Sequence, residues 1–326
     1  MIVVIGQNST WQKTYFFDTL TVGAVNRVGE LYESPAGKGS NVSRVLALYG
    51  IEHKLLAYVG GGTGTRFADG CRADGVDADF VEIAGESRMA VTLIESSGRM
   101  TELVEPAPAI TGAERAEYHR RFHRHIASAS FLSVSGTAMV GEDPDCYLEF
   151  ARSARERGAI VIVDSYRDHG RRALEAQPEI LKINEHELGE LSGCAVGTPA
   201  ERRRACDALS ERFGIRWSVI TRGGEPTEAT NGRVSLLVRP PAVNAVNPIG
   251  SGDSVTSGIL SVLATADHSS GSRGDRRKVL DDDDLFARAV IEGVAAGTAN
   301  CLDWKPGRIE RATLDRIRGE TTAEIV

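Results

Sequence analysis

The amino-acid sequence predicts an α/β fold, with a mostly parallel central sheet, helices on both of its faces and a small separate β-sheet. From residue 111 onward, runs of β-branched residues alternate with helical stretches, which is typical of a parallel sheet. Residues 159–163 are continuously apolar, as expected for a strand that is buried on both faces. Residues 13–34 and 88–104 interrupt this alternation and form the predicted small sheet.

The predicted strands share short length and a high content of β-branched and aromatic residues. They cover residues 2–5, 54–59, 90–94, 131–134, 159–164, 180–183, 217–221 and 234–238. A chain of 326 residues is long for one minimal domain and short for two large ones. We therefore expect a single α/β domain over residues 1–326.

Two helix starts carry a capping-box pattern, in which a threonine is followed three residues later by a glutamate. The first is Thr111 with Glu114, and the second is Thr198 with Glu201, where Pro199 occupies the first helical position. These patterns predict helices that begin at residues 112 and 199.

Composition and charge exclude several classes of protein. Hydrophobic residues make up 41% of the chain, and no run reaches the length of a membrane span. The net charge of −7 argues against binding to nucleic acid or to an anionic membrane. Five cysteines without a C-x-x-C pair fit reduced thiols, and residues 1–6 predict a first strand instead of a signal peptide. We expect a cytoplasmic protein.

The two segments of the small sheet flank a glycine-rich stretch. Residues 88–104 predict a hairpin around Ser96-Ser-Gly98, and residues 13–34 are rich in aromatic and alternating residues. We expect this sheet to act as a lid that covers a substrate and excludes water.

The stretch Gly250-Ser-Gly-Asp253 precedes an apolar helical segment, so its glycines lie at a helix N-terminus. Backbone N–H groups of Ser251 and Gly252 would bind a phosphate there, aided by the helix dipole. The carboxylate of Asp253 would then lie close enough to accept a proton from an attacking hydroxyl. The alternative is an ordinary glycine-rich turn in which the aspartate caps the helix.

A second glycine-rich turn, Gly37-Lys-Gly39, opens into an amphipathic helix. A lysine between glycines suits a phosphate, but the P-loop pattern is not met, because no Ser or Thr directly follows Lys38. The run Gly60-Gly-Gly-Thr-Gly64 lacks the third glycine of a dinucleotide-binding fingerprint. Both common nucleotide motifs are thus disfavoured.

Other polar clusters have simpler interpretations. His119 and His123 have the spacing of metal ligands, but no acidic third ligand follows, which favours an exposed helical face. Residues 268–275 and the acidic run 281–284 predict a solvated loop that leads into a helix N-terminus. Asp164 either caps the end of its strand or contacts a ligand, and both alternatives stay open.

The sequence resembles the ribokinase-type, or pfkB, family of sugar kinases. The stretch Ala36-Gly-Lys-Gly-Ser-Asn-Val-Ser-Arg-Val-Leu46 and the stretch Gly250-Ser-Gly-Asp253 are similar to its two signatures. The first has the form of the branch that contains 1-phosphofructokinase, tagatose-6-phosphate kinase and the minor 6-phosphofructokinase. Residues 135–136, 182–188 and 295–299 match further family stretches.

This resemblance implies a ribokinase-like fold and a site for ATP and Mg²⁺. Asp253 would be the general base, and Gly250, Ser251 and Gly252 would form the anion hole. Asn184 and Glu187 would organise magnesium. The remaining residues on the nucleotide side would be Thr221 and Gly223 along the ATP site and Asn300 near the adenine.

On the acceptor side, the resemblance implies that Lys38 and Arg88 bind the phosphate already present on the substrate, and that Gly37 is a further substrate-binding residue. Asn41 would bind a sugar hydroxyl or that phosphate, and Ser135 lies in a loop near the sugar. Small sheets of this kind often pair in relatives, so a homodimer through the lid is expected.

The sequence departs from the family pattern mainly around the acceptor. The family's Asn-Pro-x-x-Asp stretch is Asn8-Ser-Thr-Trp-Gln12, so Gln12 replaces a carboxylate that grips sugar hydroxyls. An amide oxygen accepts hydrogen bonds more weakly than a carboxylate does. Pro226, Pro248 and Ile183 replace other family residues without removing a catalytic group.

These observations favour transfer of the ATP γ-phosphate to a hydroxyl of a ketohexose phosphate, such as fructose-1-phosphate, fructose-6-phosphate or tagatose-6-phosphate. The first alternative is a non-catalytic sensor of sugar phosphates, which the replacement by Gln12 motivates. The second is a kinase of an unphosphorylated sugar or nucleoside, which Lys38 disfavours.

Overall fold

The structure, a computed structural model, describes residues 1–269 and 276–326. These residues form a large sheet of ten strands and a small sheet of four strands, with helices around them. The strands of the large sheet are β1 (Ile2–Asn8), β4 (His53–Val59), β5 (Ala78–Glu82), β8 (Phe131–Ser135), β9 (Ile160–Asp164), β10 (Ile180–Asn184), β11 (Trp217–Arg222), β12 (Glu225–Thr230), β13 (Ser235–Arg239) and β14 (Thr322–Ile325). Those of the small sheet are β2 (Thr10–Phe17), β3 (Glu30–Ala36), β6 (Arg88–Glu95) and β7 (Met100–Val104).

Helices cover both faces of the large sheet. They are α1 (Lys38–Leu48), α2 (Gly61–Ala73), α3 (Gly112–Ile126), α4 (Cys146–Glu156), α5 (Asp168–Ala173), α6 (Glu185–Ser192), α7 (Pro199–Phe213), α8 (Ser251–Ser269), α9 (Asp283–Asn300) and α10 (Arg311–Glu320). One apolar core lies between the sheet and α3, α4, α6 and α7, and a second lies between the sheet and α1, α2, α8 and α9. The predicted fold class is confirmed.

The strand order of the large sheet is β14-β13-β12-β11-β10-β9-β8-β1-β4-β5. In this spatial order, the strands from β11 to β5 run parallel to one another. Each of β12, β13 and β14 pairs antiparallel with the strand before it in the chain. Parallel strands end at the same edge of a sheet, and ligands bind there in open α/β folds. The ends of β8, β9, β10 and β11 therefore mark the edge at which a site is expected.

Local predictions agree with the structure. Every predicted strand overlaps an observed one, and β9 is completely buried. Both capping boxes form, because the Thr111 and Thr198 side chains accept hydrogen bonds from the backbone N–H groups of Glu114 and Glu201, and each glutamate carboxylate accepts one in return. These motifs could be recognised because they depend on residues only three positions apart.

The small sheet has the order β3-β2-β6-β7, and the hairpin between β6 and β7 turns at Gly98, where φ is +82°. An aromatic cluster joins this sheet to the loop after α9. The ring centroids of Phe16 and Trp304 are 4.0 Å apart in an edge-to-face arrangement, and Tyr32 stacks parallel to Trp304 at 6.2 Å.

Other expectations have clear outcomes. No described helix combines the length and apolar character that a membrane span needs. Within residues 1–269 and 276–326, no group of His, Cys, Asp and Glu side chains has the arrangement of a metal site, and His119 instead contacts Glu142.

All five cysteines are free thiols. The acidic run lies at the start of α9, where Asp282 is the N-cap, whereas residues 270–275 of the predicted loop lie outside the described residues.

Close contact between α8 and α9 positions the N-terminal turn of α8. A Cβ atom at Gly258 would lie 2.7 Å from the Cα atom of Gly293, so neither backbone can give way without moving a helix. We expect Gly258→Ala to lower the free energy of unfolding by about 2 kcal/mol in a urea titration. Gly112→Ala is the matched control, because no atom lies within 4 Å of its new Cβ. Equal stability of the two variants would contradict this interpretation of the helix contact.

Candidate active site

The turn before α8 has the backbone geometry of an anion-binding site. Gly250 has a φ of +80°, and a Cβ there would lie 3.0 Å from Pro306. The N–H of Ser251 donates to the Pro248 carbonyl oxygen at 3.2 Å. Among the described residues, no partner is found for the N–H groups of Gly252 and Asp253. The predicted anion hole therefore shifts by one residue, because the turn uses the N–H of Ser251 internally.

A buried carboxylate connects three elements around this turn. The Asp164 carboxylate, at the end of β9, accepts hydrogen bonds from Lys38 Nζ at 2.7 Å and from Lys182 Nζ at 2.9 Å. The Thr256 hydroxyl of α8 donates to the same carboxylate at 2.9 Å. Burial alone would raise the pKa of Asp164, but the two ammonium groups outweigh burial and lower it. Asp164 is thus an ionised carboxylate that holds two lysine ammonium groups near the predicted anion hole.

Asp253 lies in the first turn of α8 and is only 6% exposed. Its Oδ2 atom accepts a hydrogen bond from Asn41 Nδ2 at 2.7 Å. Burial and the negative charge of Asp164 raise the pKa of Asp253 to about 6, against the opposing effects of Lys38, Lys182 and Asn41. A carboxylate with such a pKa accepts a proton more readily than an ordinary surface aspartate.

The raised pKa predicts an acidic limit to catalysis. A general base must be ionised, so kcat/KM should fall tenfold per pH unit below about pH 6. With an ordinary aspartate as the base, kcat/KM would begin to fall only below about pH 4. A pH–rate profile at constant ionic strength, with circular dichroism to verify folding, measures this limb. A limb near pH 4 in folded protein would contradict the assignment of the base to Asp253.

Two cavities meet at Lys38. The larger has a volume of about 580 Å³, and the predicted nucleotide-side residues that line it are Asn184, Glu187, Thr221, Gly223, Gly250, Ser251, Gly252 and Asp253. Its lining also includes the apolar residues Pro240, Pro241 and Val243. The smaller, of about 170 Å³, is lined by the predicted acceptor residues Gly37, Lys38, Arg88 and Ser135.

Three predicted residues line neither cavity. Gln12 on β2 is buried and donates to the Thr92 hydroxyl at 2.7 Å. Asn300 is completely buried, donates to the Ile249 carbonyl and the Ser251 hydroxyl, and accepts the N–H of Gly307. It holds the turn before α8 in place and does not reach the cavity. The Asn41 side chain donates to Asp253 and does not line either cavity.

Arg88 is one of two cationic side chains that line the smaller cavity, the other being Lys38. Its Nε donates to the Thr10 hydroxyl at 2.9 Å, and its terminal guanidinium nitrogens have no hydrogen-bond partner among the described residues. Burial lowers the pKa of Arg88, with a small opposing effect of Glu102. A half-buried guanidinium with free donors is suited to bind a phosphate.

Asn184 and Glu187 form the capping box of α6 at the edge of the larger cavity. Glu187 Oε2 accepts the backbone N–H of Asn184 at 2.9 Å, whereas Oε1 has no hydrogen bond among the described residues and lies 3.6 Å from Lys38 Nζ. Proteins often hold Mg²⁺ with one or two carboxylates together with waters and substrate phosphates. The free oxygen of Glu187 fits such an ion.

Sequence reasoning did not assign a role to Lys182 or Thr256, and it left Asp164 open. Lys182 gives a signal in the sequence, because it is a charged residue between the apolar residues Leu181 and Ile183 of β10, and the structure leaves it only 3% exposed. Lysine is rarely buried unless it is paired. Thr256 gives no comparable signal.

The chain is similar to known proteins over nearly all of its length. The profile of the family described as "pfkB family carbohydrate kinase" matches residues 1–278. The tagatose-6-phosphate kinase of Staphylococcus epidermidis is 27% identical over 319 residues, covering 97% of each chain.

Solved structures show the same fold. Phosphofructokinase-2 from Escherichia coli, crystallised with potassium, superposes with a TM-score of 0.83 at 21% identity, over 98% of each chain. A carbohydrate kinase from Agrobacterium tumefaciens superposes with a TM-score of 0.69 at 21% identity, over 100% of this chain and 99% of that one.

Proposed function

The chain belongs to the pfkB family of carbohydrate kinases, and from this premise we propose that it transfers the γ-phosphate of ATP to a hydroxyl of a ketohexose phosphate. The observation that carries this proposal is the position of Asp253. This buried carboxylate lies at the N-terminus of α8 and lines the larger cavity together with two lysines. A base beside an anion-binding turn is the arrangement that phosphoryl transfer requires.

ATP would occupy the larger cavity. Thr221 and Gly223 lie along one side, and the apolar wall of Pro240 and Val243 suits an adenine ring. The γ-phosphate would then lie at the free N–H groups of Gly252 and Asp253, near Lys38 and Lys182. Magnesium, held through Glu187 and waters ordered by Asn184, would neutralise phosphate charge.

The acceptor would occupy the smaller cavity. The free donors of Arg88 would bind the phosphate that the sugar already carries, together with Lys38 and the backbone of Gly37. Ser135 lines the same cavity and would lie near the sugar ring. The name of the tagatose-6-phosphate kinase relative supports a phosphorylated ketohexose as the acceptor.

We further propose that the chain is one domain in which the small sheet acts as the lid. Its strands β2 and β6 carry Gln12 and Arg88, and β3 leads directly into the Gly37 turn. Two copies would pair through this sheet, whose outer strands expose Leu31, Leu103 and Val104. Five free thiols and a proposed reaction that uses ATP fit a cytoplasmic location.

An acceptor screen tests the proposal. Purified protein with Mg-ATP is incubated with fructose-1-phosphate, fructose-6-phosphate, tagatose-6-phosphate, the matching unphosphorylated sugars and a nucleoside, and ADP release is measured. We expect turnover with at least one phosphorylated ketohexose and kcat/KM at least about a hundredfold lower for its unphosphorylated form. Tight binding of a sugar phosphate without turnover would favour the sensor alternative. A preference for an unphosphorylated acceptor would overturn the assigned substrate class.

A further inference from the structure

The side chain of Arg44 on α1 is buried beneath the candidate active site, with 4% of its surface exposed. Its Nη1 donates to Asn41 Oδ1 at 3.1 Å and to the Pro306 carbonyl at 2.6 Å, and its Nη2 donates to the Pro35 carbonyl at 2.6 Å. Its Nε donates to Asp74 Oδ2 at 2.7 Å. Arg44 therefore has a single fixed position.

This position determines which way the Asn41 amide faces. A guanidinium has only donors, so the atom of Asn41 that contacts it must be the oxygen. The amide nitrogen then points to the opposite side, where it donates to Asp253 Oδ2 at 2.7 Å. A reversed amide would place two donors against each other at Arg44 and two acceptors against each other at Asp253.

We propose that Arg44 is a positioning residue for the general base, because it locks the Asn41 amide so that its N–H always faces Asp253. The inference rests on the proposed function. One oxygen of the carboxylate is thereby occupied, and within the described residues Oδ1 has no hydrogen-bond partner. The geometry leaves that second oxygen to accept the proton of the acceptor hydroxyl.

The other charges near this chain of contacts are accounted for. Asp253 faces Asp164 on β9, Lys38 on α1 and Lys182 on β10, and none of the three contacts Arg44. On its far side, Arg44 shares Asp74 with Arg308, whose Nη2 lies 2.9 Å from Asp74 Oδ1. A change at Arg44 can thus reach Asp253 through Asn41.

A double-mutant cycle tests the proposal. Arg44→Met frees the Asn41 amide, so the donated hydrogen bond to the ionised base is weakened and the acidic limb of the pH–kcat/KM profile should move up by about one pH unit. In an Asn41→Ala background, the same Arg44→Met change should leave the acidic limb of the pH profile unmoved, because the Asn41 amide that connects Arg44 to Asp253 is already absent. A shift of equal size in both backgrounds, or no shift in folded Arg44→Met, would overturn the proposal.

Asp74→Asn is the matched control, since it weakens the anchoring of Arg44 without removing the Nη1 donor to Asn41. We expect a lower melting temperature and an unchanged acidic limb, whereas a limb that moves with stability would indicate a merely structural role. Arg44→Lys keeps a charge beside Asp74 but not the planar fork of donors. It should show the same shift and replaces Arg44→Met if that variant does not fold.

A measurement on the unmodified chain is independent of these variants. With asparagine-selective ¹⁵N labelling, the Asn41 side-chain NH₂ signals, assigned by their loss in Asn41→Ser, should titrate with Asp253 near pH 6. This titration should vanish in Asp253→Asn. An Asn41 amide that ignores pH would overturn the positioning even if the chain is an active kinase. A titrating amide in a chain without kinase activity would remove the proposed function alone.

Discussion

Asp253→Asn is expected to lower kcat about a thousandfold and to change the KM for ATP by less than about threefold. The asparagine keeps the shape of the side chain and can still accept the hydrogen bond from Asn41, but its amide takes up no proton at neutral pH. The nucleotide contacts proposed for the larger cavity remain. Coupled measurement of ADP release under saturating acceptor, with a separate ATP titration, gives both constants.

Ser254→Ala is the control for Asp253→Asn, because the Ser254 hydroxyl is buried one position further along α8 and, among the described residues, donates only to the Gly250 carbonyl. It should retain kcat within about threefold. A tenfold or smaller loss in Asp253→Asn would show that another group takes the proton.

Asp253→Asn should also be more stable than the unmodified protein at pH 7.5. The pKa of Asp253 is raised in the folded protein, so folding becomes less favourable as pH rises from about 4 to about 6 and the buried group ionises. Removing the carboxylate abolishes this cost. The gain in melting temperature should therefore disappear below about pH 4, where the group is protonated in both the folded and the unfolded chain.

Arg88→Met is expected to raise the KM for a phosphorylated acceptor by about 10- to 100-fold, because a charge-assisted contact to phosphate is lost. The KM for ATP should stay within about twofold, since Arg88 lines the smaller cavity and not the larger one. Methionine preserves most of the apolar stem, so the β-sheet packing is retained. Initial-rate kinetics over a matrix of both substrates measure the two constants.

Arg99→Met is the matched control, since Arg99 lies in the same small sheet region but is exposed and paired with Glu95. It should leave both KM values unchanged. If Arg88→Met weakens the unphosphorylated sugar as much as its phosphate, then Arg88 binds the sugar ring and the assigned phosphate role is wrong.

Lys38 is a less selective probe than Arg88. Its ammonium lies 2.7 Å from Asp164 and 3.6 Å from Glu187, and it lines both cavities. These carboxylates outweigh the effect of burial and raise the pKa of Lys38. Replacing it would leave a buried carboxylate partly unpaired and so disturb stability, ATP and acceptor together.

The sequence by itself determined the fold class, and it predicted the general base that we propose. Strand composition, the apolar run of β9 and the two capping boxes are local patterns, and each acts within a few residues along the chain. The glycine turn before α8 is equally local, because Gly250-Ser-Gly-Asp253 predicts a helix N-terminus from adjacent residues, although the free N–H groups lie one residue later than predicted.

Only the tertiary structure decided how the charges pair. Asp164 and Lys38 are 126 residues apart in sequence, and Asn41 and Asp253 are 212 residues apart. Their contacts arise where β9, α1 and α8 meet at one edge of the sheet, which no local pattern encodes. For the same reason, the sequence could single out Asp253 as the proposed base but could not show that Asn41, which contacts Arg44, faces it.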